Sequence, residues 1–309
     1  MNRPIRTAIA DGHGGWFIGG GFIRANGFLR KRLAHIGADG RLDSSWKPEA
    51  NGNGVSVTSL ARVGGRVYVG GDFAGLQHRP RLWVGALGTH SGRLLPWQPP
   101  RGEINYPVLL AGEARMYLGG YGVQDASGLT ALRPDDALPA QGWHAIVDTS
   151  NIEGGGVRAI ARLGGRLYIA GWFGKVDGRP SPGLAALDAR TGRLLRDWRP
   201  RPRPRYCSGC SDVTALGAGR GLVFAGVPGA VLALDPRSGI TRWRARVPGS
   251  EVNSLALAGQ RLYVAGDFGL RALDAATGRQ LRSWSPPSTQ SGVTAAQSGG
   301  RVLIGLQPH

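Results

Sequence analysis

One short pattern returns along the whole chain. The segment GRVYVGGDF at 65–73 recurs as GGWFIGGGF at 14–22, ARMYLGGYG at 114–122, GRLYIAGWF at 165–173 and QRLYVAGDF at 260–268. Weaker copies are RGLVFAGVP at 220–228 and GRVLIGLQP at 300–308. Aligned on Phe17, Tyr68, Tyr117, Tyr168, Val223, Tyr263 and Leu303, the copies stand 51, 49, 51, 55, 40 and 40 residues apart. A unit of that size cannot bury its apolar faces alone, so successive copies have to stack on one another.

Each copy has the same surroundings. An alternating run precedes it, as in VTSLARV at 57–63, VRAIARL at 157–163 and VNSLALA at 252–258, and a Gly-rich turn joins the two. This reads as a hairpin of strands A and B. A third apolar run follows, such as LWVGAL at 82–87 or GLAALD at 183–188, then a Ser/Thr-Gly turn and a short run ending in Trp. These are strands C and D. The 52 Gly and 20 Pro show no Gly-X-Y period and serve as turn punctuation. The expected fold is all-β, a single β-propeller over 1–309 with about seven four-stranded antiparallel blades. Its units are 5–50, 55–100, 106–145, 156–200, 212–245, 251–286 and a partial 292–309, so the last blade is incomplete. Strand B of that blade, Arg301 to Leu306, is expected to be an exposed edge and a site of self-association. Trp46, Trp97, Trp143, Trp198, Trp243 and Trp284, one per unit, fall at equivalent positions and are expected to dock blade on blade, largely buried.

The formal net charge of +18 points first to a nucleic-acid or anionic partner. Only Lys31, Lys47 and Lys175 are lysines, however, and the other 35 of the 38 basic residues are arginines spread through every repeat. A dedicated nucleic-acid site is therefore not expected. Cys207 and Cys210 lack a second pair for zinc, and Ser211 stands where haem attachment would need His. His13, His35, His78, His90, His144 and His309 share no metal spacing, so neither metal nor cofactor is expected. Asp188, Asp235 and Asp274 each precede a Thr/Ser-Gly turn, where a carboxylate accepts turn amides. No window reaches the roughly 18 apolar residues of a membrane span, and Met1 to Asp11 lacks the apolar core of a signal peptide.

The C–D segments carry a family resemblance. ALDPRSGITRW at 233–243 fits Ala-x-Asp-x-x-Ser/Thr-Gly-x-x-x-Trp without a gap, while ALDAATGRQLRSW at 272–284 and ALDARTGRLLRDW at 186–198 have two extra residues before Trp. This resembles the tryptophan docking repeat of propellers similar to the pyrroloquinoline quinone enzymes. The first two units resemble delta-sixty repeats, with GGDF at 70–73 and ADGRLDSSW at 38–46. Those enzymes hold a quinone over a Trp beside an acid-bound calcium, with adjacent cysteines. This sequence has no adjacent cysteines, and none of its five glutamates matches a calcium motif, so no catalytic residue is carried over.

In an A-B-C-D meander, the B–C loops and D–A connections emerge on one side. Here those are the long, variable segments, including 73–81, 144–156, 173–182 and 199–212, and binding is expected among them. Asp72, Trp172 and Asp267 close their B strands and are the candidate mouth residues. Arg201, Arg203 and Arg205 alternate with Pro, which holds the guanidinium groups extended toward an anionic partner. The expected function is a non-catalytic scaffold that binds a protein or polysaccharide in an extracellular or periplasmic setting. The alternative is a quinoprotein-like oxidoreductase, or a lyase or hydrolase on the same fold.

Overall fold

The structure is a computed structural model that describes residues 3–52, 54–100, 104–112, 114–122, 128–149, 152, 155–200, 213–284, 292–298 and 301–306. It forms two compact units: Met1–Leu118 with Ala131–Ala140 and Val293–His309, and Gly119–Thr130 with Gln141–Gly292. The described residues contain strands and no helix.

Within the first unit, strands A, B and C of the first repeat are Ile5–Ala10, Trp16–Gly20 and Leu33–Ile36, and those of the second are Ser56–Val63, Arg66–Asp72 and Val84–Gly88. In the second unit, the fourth repeat contributes Gly156–Leu163, Arg166–Trp172 and Leu184–Asp188. The sixth contributes Val252–Ala258, Arg261–Gly266 and Gly269–Asp274. Every pairing within these repeats is antiparallel. Strand B is buried on both faces, as Val67, Tyr68 and Val69 or Leu167, Tyr168 and Ile169 show, because it is the middle strand of a sheet covered by neighbouring repeats. The A–B turns use Gly64, Gly164 and Gly259 at φ of 53°, 57° and 57°, the left-handed conformation that glycine adopts without cost.

The expectation of four-stranded sheets needs correction. A full D strand, Thr241–Arg246, occurs in the fifth repeat, beside Ala215–Gly219, Leu222–Val227 and Ala230–Leu234. In the second, fourth and sixth repeats, D shrinks to single bridges at Leu87–Leu94, Leu187–Leu194 and Leu273–Gln280. The cause is legible in the chain: the fifth repeat lacks the two extra residues before Trp that the fourth and sixth carry. Those residues form a turn, and the chain leaves the sheet after one bridge. The aligned centre of the fifth copy also shifts by one, since Phe224 rather than Val223 lies opposite Ala233, as Tyr168 lies opposite Ala186.

The tryptophans link consecutive repeats. The indole N–H of Trp46 donates to Gly88 O at 3.0 Å, Trp97 to Arg133 O at 3.1 Å, Trp198 to Asp235 O at 3.0 Å and Trp243 to Ala275 O at 3.2 Å. Each acceptor sits at the end of strand C or in the C–D turn of the following repeat. Tyr68 Oη and Tyr168 Oη donate to the adjacent carbonyls of Pro134 and Pro236 at 2.6 and 2.8 Å. Burial pushes both phenols up to about 12. Trp46, Trp97 and Trp198 are buried, but Trp243 and Trp284 are only half-buried, contrary to expectation. Trp284 packs its ring 5.4 Å from Tyr263. In the turns themselves, Asp188, Asp235 and Asp274 accept amides and hydroxyls of Thr191, Ser238 and Thr277.

The first repeat differs in its clamp. His35 occupies the C-strand position that is Ala in other repeats and stacks on Phe17 at 4.5 Å. Its Nε2 meets Asp11 at 3.0 Å and its Nδ1 meets Asp43 at 2.9 Å, tying the A–B turn to the D segment. The last hairpin, Gly292–Ser298 with Arg301–Leu306, is a two-stranded sheet among the described residues. Arg301 reaches from it to the carbonyls of Gly14 and Ala38 and stacks over Trp16 at 5.2 Å, so the last repeat packs on the first within one unit.

Candidate functional site

Three B–C loops are built as small hairpins. They are Arg24–Ala25 with Phe28–Leu29, Gly75–Leu76 with Arg79–Pro80, and Lys175–Val176 with Arg179–Pro180. Their tips, Asn26-Gly27, Gln77-His78 and Asp177-Gly178, have positive φ at both residues, the backbone of a tight two-residue turn. Phe22, Phe73 and Phe173 enter each hairpin fully buried and fix its base. Two of the hairpins pair in turn with D–A connections, Ala50–Asn51 with Gly75–Leu76 and Val147–Asp148 with Lys175–Val176. Loops and connections thus lie on one side of their repeats, held by backbone hydrogen bonds.

Asp72, Trp172 and Asp267 close their B strands on that side. Asp72 and Trp172 are half-buried and lie opposite Ser56 and Gly156. Asp267 is committed to its own loop: it accepts Ser250 N at 2.9 Å, Ser250 Oγ at 2.9 Å and Glu251 N at 3.2 Å. The Ser250 amide, with the other bonds, holds its carboxyl below the usual range. Its role in this geometry is to cap the D–A loop. Arg201, Arg203 and Arg205, with Cys207 and Cys210, lie outside the described residues.

Trp172 has a neighbour that sequence reasoning missed. Arg158 places its guanidinium 3.7 Å from the centre of the Trp172 ring and 5.5 Å from that of Tyr121, and its Nη2 donates to Tyr121 Oη at 2.7 Å. A cation between two aromatic faces is held by the ring quadrupoles. Arg158 sits where the pairing of the fourth repeat slips between Val157 and Ala159, a bulge that re-aims one side chain. Tyr121 pairs across to Gly156, where only glycine fits because the Gly120 carbonyl occupies the place of a β-carbon. The repeat alignment contained the signal, since Tyr121 falls in the column of Asp72, Trp172 and Asp267. Among the described residues, no three His, Cys, Asp or Glu side chains are arranged to hold a metal ion.

Comparison with known proteins follows the same lines. Residues 180–307 match the family profile described as outer membrane protein assembly factor BamB, a model of PQQ-type repeats. The crystal structure of BamB from Moraxella catarrhalis superposes with a TM-score of 0.55 at 19% identity, covering 99% of this chain and 85% of that one. The fold is that of a β-propeller, and residues 180–307 are similar to PQQ-type repeats. A computationally designed protein is also similar to this propeller, with a TM-score of 0.60 at 14% identity, over 99% of this chain and 94% of that one. No curated protein matches the propeller by sequence.

Proposed function

We propose that this propeller is a non-catalytic scaffold that works outside the cytoplasm and takes a protein partner on the side carrying its B–C hairpins. The observation that carries the reading is the Tyr121, Arg158 and Trp172 cluster at the ends of B strands. Tyr, Trp and Arg are the residue types that dominate binding energy at protein interfaces, and these three are pre-ordered by their own contacts. The match of residues 180–307 to a family described as an assembly factor supports a scaffold role. Half-burial of Trp172 leaves part of its ring for a partner.

The test is site-specific photo-crosslinking. A crosslinking residue at Trp172 or Asp72 should trap one discrete adduct, and the same residue at Gly65 or Gly165, in A–B turns, should not. Arg158→Ala should remove most of the adduct without altering the thermal transition. Adducts of equal yield from both sides, or none, would overturn the reading. Reconstitution with pyrroloquinoline quinone and calcium addresses catalysis: a red-shifted cofactor absorbance with dye-linked alcohol oxidation would replace the scaffold with the enzyme.

A further inference from the structure

The fourth repeat has an open place beside its C strand. In the fifth repeat the D strand covers that flank, pairing Ala245 with Val231 and Arg244 with Leu232. The corresponding Leu184 and Ala185 of the fourth repeat have no strand beside them among the described residues, because the D segment leaves after the bridge at Leu194. What remains is a cleft of about 320 Å³, walled by the hairpin arm Arg179–Pro182 on one side and Leu194–Pro200 on the other. In the second repeat the Arg81 stem lies over the strand at the corresponding position, 3.6 Å from where a β-carbon on Gly85 would be. Ser181 holds the Arg81 position in the fourth repeat, and the cleft stays open.

The walls combine two chemistries. Arg179, Arg196 and Arg199 line the rim, are exposed and make no ion pair among the described residues. Pro180, Pro182, Leu195 and Trp198 are the apolar lining. The Leu194–Pro200 wall is anchored to the next repeat, where the Arg199 amide donates to Ser238 O at 2.8 Å and the Trp198 indole donates to Asp235 O. Asp197 is the acid in that stretch; it is exposed and does not line the cleft.

We infer that this cleft receives an extended, acidic segment of a partner protein, which lies along Leu184–Ala185 as an added strand with its carboxylates on Arg179, Arg196 and Arg199. An open strand edge offers main-chain pairing to a peptide, and alternate side chains of that peptide meet the wall. The apolar lining favours a polypeptide over a sugar polymer, which would use the charge alone. The inference rests on the protein-binding reading above and names one class of partner.

The experiment uses the whole chain and a fluorescein-labelled ten-residue peptide of alternating Glu and Val, followed by anisotropy. Binding should appear, weaken with added salt, and fall at least tenfold in Arg179→Glu/Arg196→Glu. Ser181→Arg should also abolish it, although that change adds positive charge, because an arginine stem there would lie over Ala185 as the Arg81 stem lies over Gly85 and fill the cleft. A heparin oligosaccharide should bind more weakly and gain from Ser181→Arg. The inference is overturned if the peptide does not bind, if Ser181→Arg strengthens its binding, or if heparin binds tighter than the peptide. The scaffold reading would survive that result, because the crosslinks at Trp172 and Asp72 report on a different set of residues.

Discussion

Asp43 shows how much one side chain can decide. Burial by itself would raise its carboxyl, but bonds from His35, from the Ser45 hydroxyl and amide and from the Trp46 amide outweigh that and hold it far below the usual range. Asp11, across the same imidazole, is lowered for similar reasons. A carboxyl whose folded value is depressed adds stability above its unfolded value of about 4, and that contribution is lost as pH falls further. Asp188, Asp235 and Asp274 follow the same sign. The melting temperature should therefore fall steeply below about pH 4, and Asp43→Asn should flatten that acid limb. An unchanged limb would remove His35 from the clamp. At the alkaline end, buried Tyr68 and Tyr168 have the opposite sign: their raised values stabilise the fold below about pH 10, and the contribution disappears as pH rises toward 12. Tyrosinate absorbance should show late-ionising phenols, one fewer in Tyr168→Phe. That variant should also lose about 1–2 kcal/mol, the cost of a missing hydrogen bond to the Pro236 carbonyl.

At the scale of the strand and turn, the docking indole is the main fastening. Trp198→Ala should cost about 3–5 kcal/mol, the usual loss for a buried aromatic, measured by denaturant unfolding. Half-buried Trp243 should cost less, and an equal loss would mean that burial is not what sets the effect. At Gly92 and Gly278, the Gly that ends a Ser/Thr-Gly turn lies against the docking indole itself. A β-carbon on Gly278 would come within 2.6 Å of the Trp243 ring, whereas at Gly259 nothing lies within 4 Å. Both are left-handed, so Gly259→Ala should lose about 1 kcal/mol in backbone strain alone. Gly278→Ala should lose clearly more, and equal losses would count against the docking contact. The repeat, the strand order and these turns were legible because each is a local pattern copied several times. The reduced D strands were legible only in part: the two extra residues are visible, but their effect on pairing depends on the next repeat pulling Trp across. Arg158 was not legible, because a bulge turns it toward Trp172 and its column holds Thr58 and Asn253 in other repeats. The hydrogen bonds of Asp267 were not legible, because Ser250 and Glu251 belong to a connection with no repeat equivalent.

For the whole molecule, the first unit gathers both ends of the chain. Arg301 ties the last hairpin to the first repeat alongside the packing of Leu303, and Arg301→Ala should raise amide exchange in Trp16–Gly20 and in Arg301–Leu306 together. Exchange that rises in the hairpin alone would show that the tie is dispensable to the first repeat. The direction of the tryptophan contacts has a separate consequence for synthesis. Each donor belongs to an earlier stretch of chain, and each acceptor to the one made 32 to 42 residues later. As the ribosome proceeds, each of these four repeats, once finished, presents an indole whose carbonyl has not yet emerged. The nascent protein therefore carries one unsatisfied aromatic at its growing end, which moves forward a repeat at a time, and any pause in translation leaves that ring open to a chaperone or to another nascent chain.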